Sequence, residues 1–326
     1  MFLAGTYQLQ AQQLRFEFAQ VHMGMEVRLI LFAGDSSQAR SAAAAAFDRI
    51  RKLEDTMSDY RDESEVRRLA DHPGEWVAIS PDLFAVLSQA LALAAQSGGA
   101  FDPTVGPITR LWRQSRRSGQ RPVPDSLAAA RWRVGWRFVE LAPAPTAVRL
   151  ARAGMVLDLG GIAKGYILDR ALESARALGV DRVLIRAGGD IVAGDPPPGL
   201  TGWRIEVEGA GPEMRARAAS LANAGLSTSG PSEQFVVIEG VRYSHVIDPR
   251  TGEPLTHARQ AYVIAGSGME ADGLATAVTV ADSAAISQLR RIYSSTLIEV
   301  FTRDSNSTPG SRLLQSGPWS DRYRPK

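Results

Sequence analysis

Strand-like segments in this chain follow one another without a helix between them, and that order narrows the fold more than any single motif. "RVLIRAGGDIVAGD" from Arg182 and "WRIEVEG" from Trp203 read as successive strands, the second alternating strictly. "EQFVVIEGVRYSHVIDP" reads as a hairpin turning at Glu239 and Gly240, and "AYVIAGS" and "TLIEVF" add two more strands. A doubly wound parallel sheet needs a helix after each strand, so the expected class is α+β with antiparallel sheet.

The helices are marked by spacing and caps. After the strand "MEVRLILFAG", the segment "SSQARSAAAAAFDRIRKLEDTM" carries Phe47, Ile50, Leu53 and Met57 at helical spacing behind a serine cap. Ser80 and Pro81 form an N-cap and N1 pair, Leu83, Val86, Leu87, Ala90 and Leu91 form a stripe, and Gly98 and Gly99 end it. "MVLDLGG" reads as a strand feeding the helix "AKGYILDRALESARALG", with Ile167, Ala171, Leu172, Ala175 and Leu178 inward. A further helix is expected from about Glu270.

Composition excludes several classes. Lys and Arg number 37 against 35 Asp and Glu, too even a balance for a general nucleic-acid binder. The basic stretch "RLWRQSRRSGQRPVP" reads as a solvated helix end and loop. With no cysteine there is no disulfide, thiolate zinc site or cysteine nucleophile. No stretch approaches the roughly 18 apolar residues that a membrane span needs, and "MFLAGTYQLQAQQ" lacks the basic region of a signal peptide.

Seven short segments could carry chemistry, each with a plainer alternative. "DLGGIAKGY" places Asp158, Gly161 and Lys164 at a strand-to-helix turn that could meet phosphate, or could be a tight turn with a surface lysine. In "MEADGLATAV", Asp272 and Thr276 stand one helical turn apart and could ligate a hard cation such as Mg²⁺, unless Asp272 only caps the helix. His245 in "YSHVIDPRTG" is the leading candidate base, or a hydrogen-bonded hairpin histidine. Asp102 in "GGAFDPTVGP" and Asp190 in "AGGDI" sit where turns are common, as does "STSG". Tyr60 in "MSDY" could stack on an aromatic ligand or simply pack.

Taken in order with "MG" at Met23 and Gly24, the fragments "MSDY", "GAFDPTVGPI", "DLGGIAKGYILDRA", "AGGDI", "STSG", "YSHVIDPRTG" and "ADGLATAV" resemble the ApbE family, the FAD:protein FMN transferases. The resemblance implies an α+β fold of two related antiparallel-sheet-plus-helix halves, a T-fold-like duplication, with the ligand between them. It further implies that Gly161, through its carbonyl, Asp272 and Thr276 hold Mg²⁺. Met23, Tyr60, Ala100, Phe101, Asp102, Asp158 and Lys164 would line FAD, and His245 with Lys164 would act at the reacting phosphorus.

The implied reaction is Mg²⁺-dependent transfer of FMN from FAD to a threonine hydroxyl of an acceptor flavoprotein, with AMP leaving. Alternatives are an FAD pyrophosphatase giving FMN and AMP, or a flavin-binding protein without turnover. Met25 stands where the family pattern carries threonine, and Pro231 where an acidic residue is common. Family members are usually exported, yet this chain shows neither signal nor lipobox cysteine, so the compartment is open between periplasm and cytoplasm. The expected organisation is an extension over 1–22, a transferase domain over 23–303 and a mobile polar tail over 304–326.

Overall fold

Leu14–His22 (β1) and Met25–Ala33 (β2) pair as a hairpin closed by His22 opposite Met25, leaving Met23 and Gly24 as a two-residue turn. Both turn residues have positive φ, 52° and 72°, as a type I′ turn demands. The computed structural model describes residues 13–207, 217–230, 235–256, 258–303, 310–314 and 323–325.

The hairpin begins an eight-stranded sheet whose strands lie side by side in chain order. It continues through Val183–Ala187 (β3), Asp190–Ala193 (β4), Ala224–Ser229 (β5), Ala258–Ala265 (β6), Leu297–Arg303 (β7) and Gly310–Leu314 (β8). Every neighbouring pair is antiparallel, in agreement with the α+β expectation. The path repeats. Two strands precede and two follow the helices in each half of the sheet's order, although further strands intervene, at 76–78 and 139–150 in the first and at 235–244 in the second.

The period-2 alternation sends successive side chains to opposite faces, and both faces of the central strands are covered. Val27, Leu29 and Leu31 of β2 and Val183 and Ile185 of β3 face the helices Ser36–Met57 (α1), Ala163–Arg176 (α4) and Gly268–Val280 (α5). Pro81–Gln96 (α2) packs behind them through Leu83, Val86, Leu87 and Ala90. On the other face Leu184, Ile191, Leu226, Tyr262 and Ile264 meet Trp203, Ile205, Ala219 and Leu221 of a small second sheet. A third cluster joins Gly106–Ser118 (α3) to the hairpin Phe235–Ile238 with Val241–Ser244, around Ile108, Trp112, Ile238 and Tyr243. Among the described residues no helix is long and apolar enough to cross a membrane.

Residues 14–22 form β1, an edge strand of the main sheet, and Phe16 and Phe18 lean on the core through the alternation in "LRFEFAQVH". In the C-terminal stretch 310–314 extends the main sheet and 323–325 pairs with 217–219, while 304–309, 315–322 and 326 lie outside the described residues. Several expectations need correction. The cap of α1 is Asp35, whose carboxylate accepts from the N–H groups of Ser37 and Gln38 at 2.8 Å. "MVLDLGG" is not a ladder strand: Met155, Val156, Leu157 and Leu159 are buried, but its one β-bridge is Val156 to Val105. Leu178 lies past the end of α4 and is exposed.

Candidate active site

Three glycines bring α4, α5 and β5 to near-contact. A Cβ on Gly165 would fall 2.0 Å from the carbonyl oxygen of Gly268, one on Gly268 would fall 2.7 Å from that of Gly165, and one on Gly225 would lie 2.5 Å from Ser267 O. Only backbone without side chains fits there. Ser267 caps α5 by accepting from Glu270 N, and Asp169 of α4 accepts from Gly268 N at 2.8 Å and Met269 N at 2.9 Å. Asp272 is therefore not the cap. It is 4% exposed, one turn inside the helix, and its Oδ2 accepts from Gly165 N at 3.1 Å.

Burial dominates the electrostatics of this pair. The Asp272 carboxyl is pushed up to about 7, first by burial and then by the nearby Asp190 charge, with Lys164 opposing. Asp169 rises to about 6, again by burial, against the two N–H donors that favour its ionised form. The turn before α4 brings in the remaining donors: Gly161 abuts Thr276, so close that a Cβ would fall 3.0 Å from Thr276 Oγ1. Thr276 follows Asp272 by one turn of the same helix, so the Gly161 turn packs one turn along α5 from that carboxylate. Among the described residues no group of three or more His, Cys, Asp or Glu forms a metal cluster.

Lys164 Nζ pairs with Asp190, which is 2% exposed and also accepts from Ser227 Oγ. "AGGDI" and "STSG" are therefore parts of one structure. Gly188, at φ 56°, and Gly189 form the turn from β3 to β4, Thr228 N donates to Gly189 O at 3.1 Å, and Asp190 anchors the lysine. The Met23 turn lies alongside, since Met25 Sδ would be 3.3 Å from a Cβ on Gly188.

A second group of residues is held by Arg113, which sequence reading left in a solvated stretch. Its guanidinium contacts Asp59 at 2.5 Å and Asp158 at 3.6 Å, and stacks 4.1 Å from the centre of the Tyr60 ring. Burial, then the Asp158 charge, raises the Asp59 carboxyl, and Arg113 counters both. The helical spacing that buries Trp112 in α3 also aims Arg113 at these acids, so the basic stretch is a poor guide to exposure. Tyr60 is 74% exposed, with one ring face on Arg113 and the rest toward solvent. Sequence reading also missed Asp59, although it sits inside the quoted "MSDY", and Asp169.

Ala100 and Phe101 are buried in the main core. Asp102 is buried and both oxygens are engaged, Oδ1 with Thr104 N and Oγ1, Oδ2 with Trp136 N at 3.0 Å; burial raises its carboxyl. His245 is exposed at the bend just past Val241–Ser244 rather than within that strand. Its loop is fixed on α3: Tyr243 stacks 5.1 Å from Trp112, whose indole donates to Gly252 O at 2.9 Å.

The ApbE family profile matches residues 23–298. The chain belongs to the ApbE family. A protein named FAD:protein FMN transferase from Treponema pallidum is 34% identical, over 75% of this chain and 72% of its own length. A Klebsiella pneumoniae protein of the same name is 31% identical over 74% of each chain. Solved structures agree with the fold: the apo flavinyl transferase ApbE of Pseudomonas stutzeri superposes with a TM-score of 0.80 at 27% identity, covering 92% of this chain and 95% of that one. An ApbE protein from Thermotoga maritima gives the same TM-score and identity, covering 91% and 97%.

Proposed function

We propose that this ApbE-family chain transfers FMN from FAD to a threonine hydroxyl of a partner flavoprotein. In that reaction a bond forms between the threonine oxygen and the FMN phosphorus, the bond to the bridging oxygen breaks, and AMP leaves. The observation that carries the reading is the buried Asp272 carboxylate, one helical turn from the Thr276 that Gly161 abuts, with the Lys164–Asp190 pair beside it.

Those residues fit Mg²⁺. All three donors are hard oxygens, the choice of a small divalent cation, and a carboxylate raised by burial gains most from an incoming positive charge. A Cβ at Gly161 would fill the space against Thr276, so glycine keeps its carbonyl within reach. When bound, the ion would neutralise charge on the pyrophosphate. Lys164, partly exposed on its ion pair with Asp190, supplies a second positive charge to the same phosphates. His245, outside the buried cluster, takes the threonine proton. Asp158 and Tyr60, braced by Arg113, line the nucleotide with the backbone of Ala100 to Asp102 and with Met23 on its turn.

Asp272→Ala tests the metal site. Incubated with FAD, Mg²⁺ and a threonine-bearing flavoprotein domain, the parent is expected to give covalent in-gel fluorescence and the variant none. Full labelling by the variant would remove Asp272 from the site.

A further inference from the structure

A second cavity lies apart from most of the residues assigned above. It holds about 480 Å³ and is walled by Gly98, Gly99, Asp102, the segment from Arg131 to Arg137, and the turn at Pro249 and Arg250. Of the residues proposed to hold FAD, only Asp102 borders it.

Its rim is cationic and aromatic. Trp132 is 72% exposed, and Arg152 stacks 4.6 Å from the centre of its ring while donating to its carbonyl at 3.0 Å. Arg137 stacks 4.2 Å from the Trp136 ring, and Arg131 donates to Arg250 O at 3.1 Å. Apart from the field of Asp102 on Arg137, none of Arg131, Arg137 and Arg152 has a carboxylate partner among the described residues. Arg131 and Arg137 on the cavity wall, with Arg152 stacked on Trp132 next to it, form a surface complementary to carboxylates.

The floor decides which anion fits. Asp102 is buried there with both oxygens engaged, so a phosphate or nucleotide filling the cavity would face a carboxylate. A chain laid along this wall would meet the guanidiniums of Arg131 and Arg137 and the indoles of Trp132 and Trp136, side chains of the kinds that dominate protein interfaces. The turn at Pro249 and Arg250 belongs to the loop that carries His245, and Asp248 fixes it through two bonds to the Arg250 guanidinium, at 2.9 and 2.8 Å.

We propose that this arginine and tryptophan rim docks an acidic segment of the acceptor protein and seats it beside His245. The docking site rests on the transferase reading, and one set of assays separates the two. With an acceptor that the parent chain labels, the double variant Arg131→Glu, Arg137→Glu is expected to raise the acceptor KM about tenfold. Its kcat at saturating acceptor and its Kd for FAD should be unchanged. Added NaCl should raise the parent's KM and leave the variant's nearly flat. Arg131→Gln, Arg137→Gln should shift KM in the same direction by less, which guards against a folding defect in the charge-reversed protein.

An unchanged KM with unchanged salt dependence would overturn the docking site alone. So would an equal loss of FAD affinity, or saturable binding of AMP or inorganic phosphate that disappears in the variant while KM stays the same. Failure of the parent to label any acceptor would remove the transferase reading and the docking site with it.

Discussion

Asp169 shows how one side chain can act on the site without entering it. Its carboxylate holds the first two N–H groups of α5, so it positions the helix that carries Asp272. Its folded value of about 6 lies above the ordinary 3.8, so between the two the folded protein binds this proton more tightly than the unfolded chain does. The group's contribution to stability is complete below about pH 4 and is lost as the pH rises through 6. Asp169→Asn is therefore expected to flatten the decline in melting temperature between pH 4 and 6, as followed by circular dichroism. An unaltered slope would show that burial does not hold the Asp169 proton.

The pair α4 and α5 is set by glycine rather than by an apolar stripe. A methyl group on Gly165 would meet backbone at 2.0 Å, which no rotamer change can relieve. Overpacking of that kind costs about 1–3 kcal/mol, and here it also pulls on the bond from Gly165 N to Asp272. Gly165→Ala should lower the melting temperature by a few degrees and reduce FMN transfer. Gly34→Ala, whose nearest neighbour would be a side-chain oxygen at 3.6 Å, should do neither; equal effects from both would deny the close approach.

This is also where the sequence was least legible. Periodicity located α4, α5 was expected from about Glu270 and begins at Gly268, and turn chemistry located Glu239 and Gly240, at φ 51° and 79°. Contacts between elements far apart in the chain leave no local pattern. Asp169 to Gly268 spans 99 residues, and Arg113 to Asp59 spans 54. A basic run looks alike whether its arginines face solvent or a buried acid, which is why Arg113 was missed.

Across the whole molecule, the adjacent strand runs carried the class, whereas the covering of the sheet on both faces depends on the helices and the second sheet packed against it. The ends of the chain were harder. β1 is half-exposed and reads as polar, and β8 and the strand at 323–325 are short segments in a polar stretch, secured by pairing rather than by composition. The fold places "AGGDI", "STSG" and "AKGY" around Asp190, and places the hairpin before His245 on the helix that carries Arg113. Separate motifs become one candidate site through that topology.

The most direct test of FMN transfer is the mass of the acceptor flavoprotein after incubation with this chain, FAD and Mg²⁺. An added FMN phosphoester that maps to one threonine, with AMP released in equal amount, is the expected result. An unmodified acceptor in a mixture where FAD has been split to free FMN and AMP, or left intact, would contradict it.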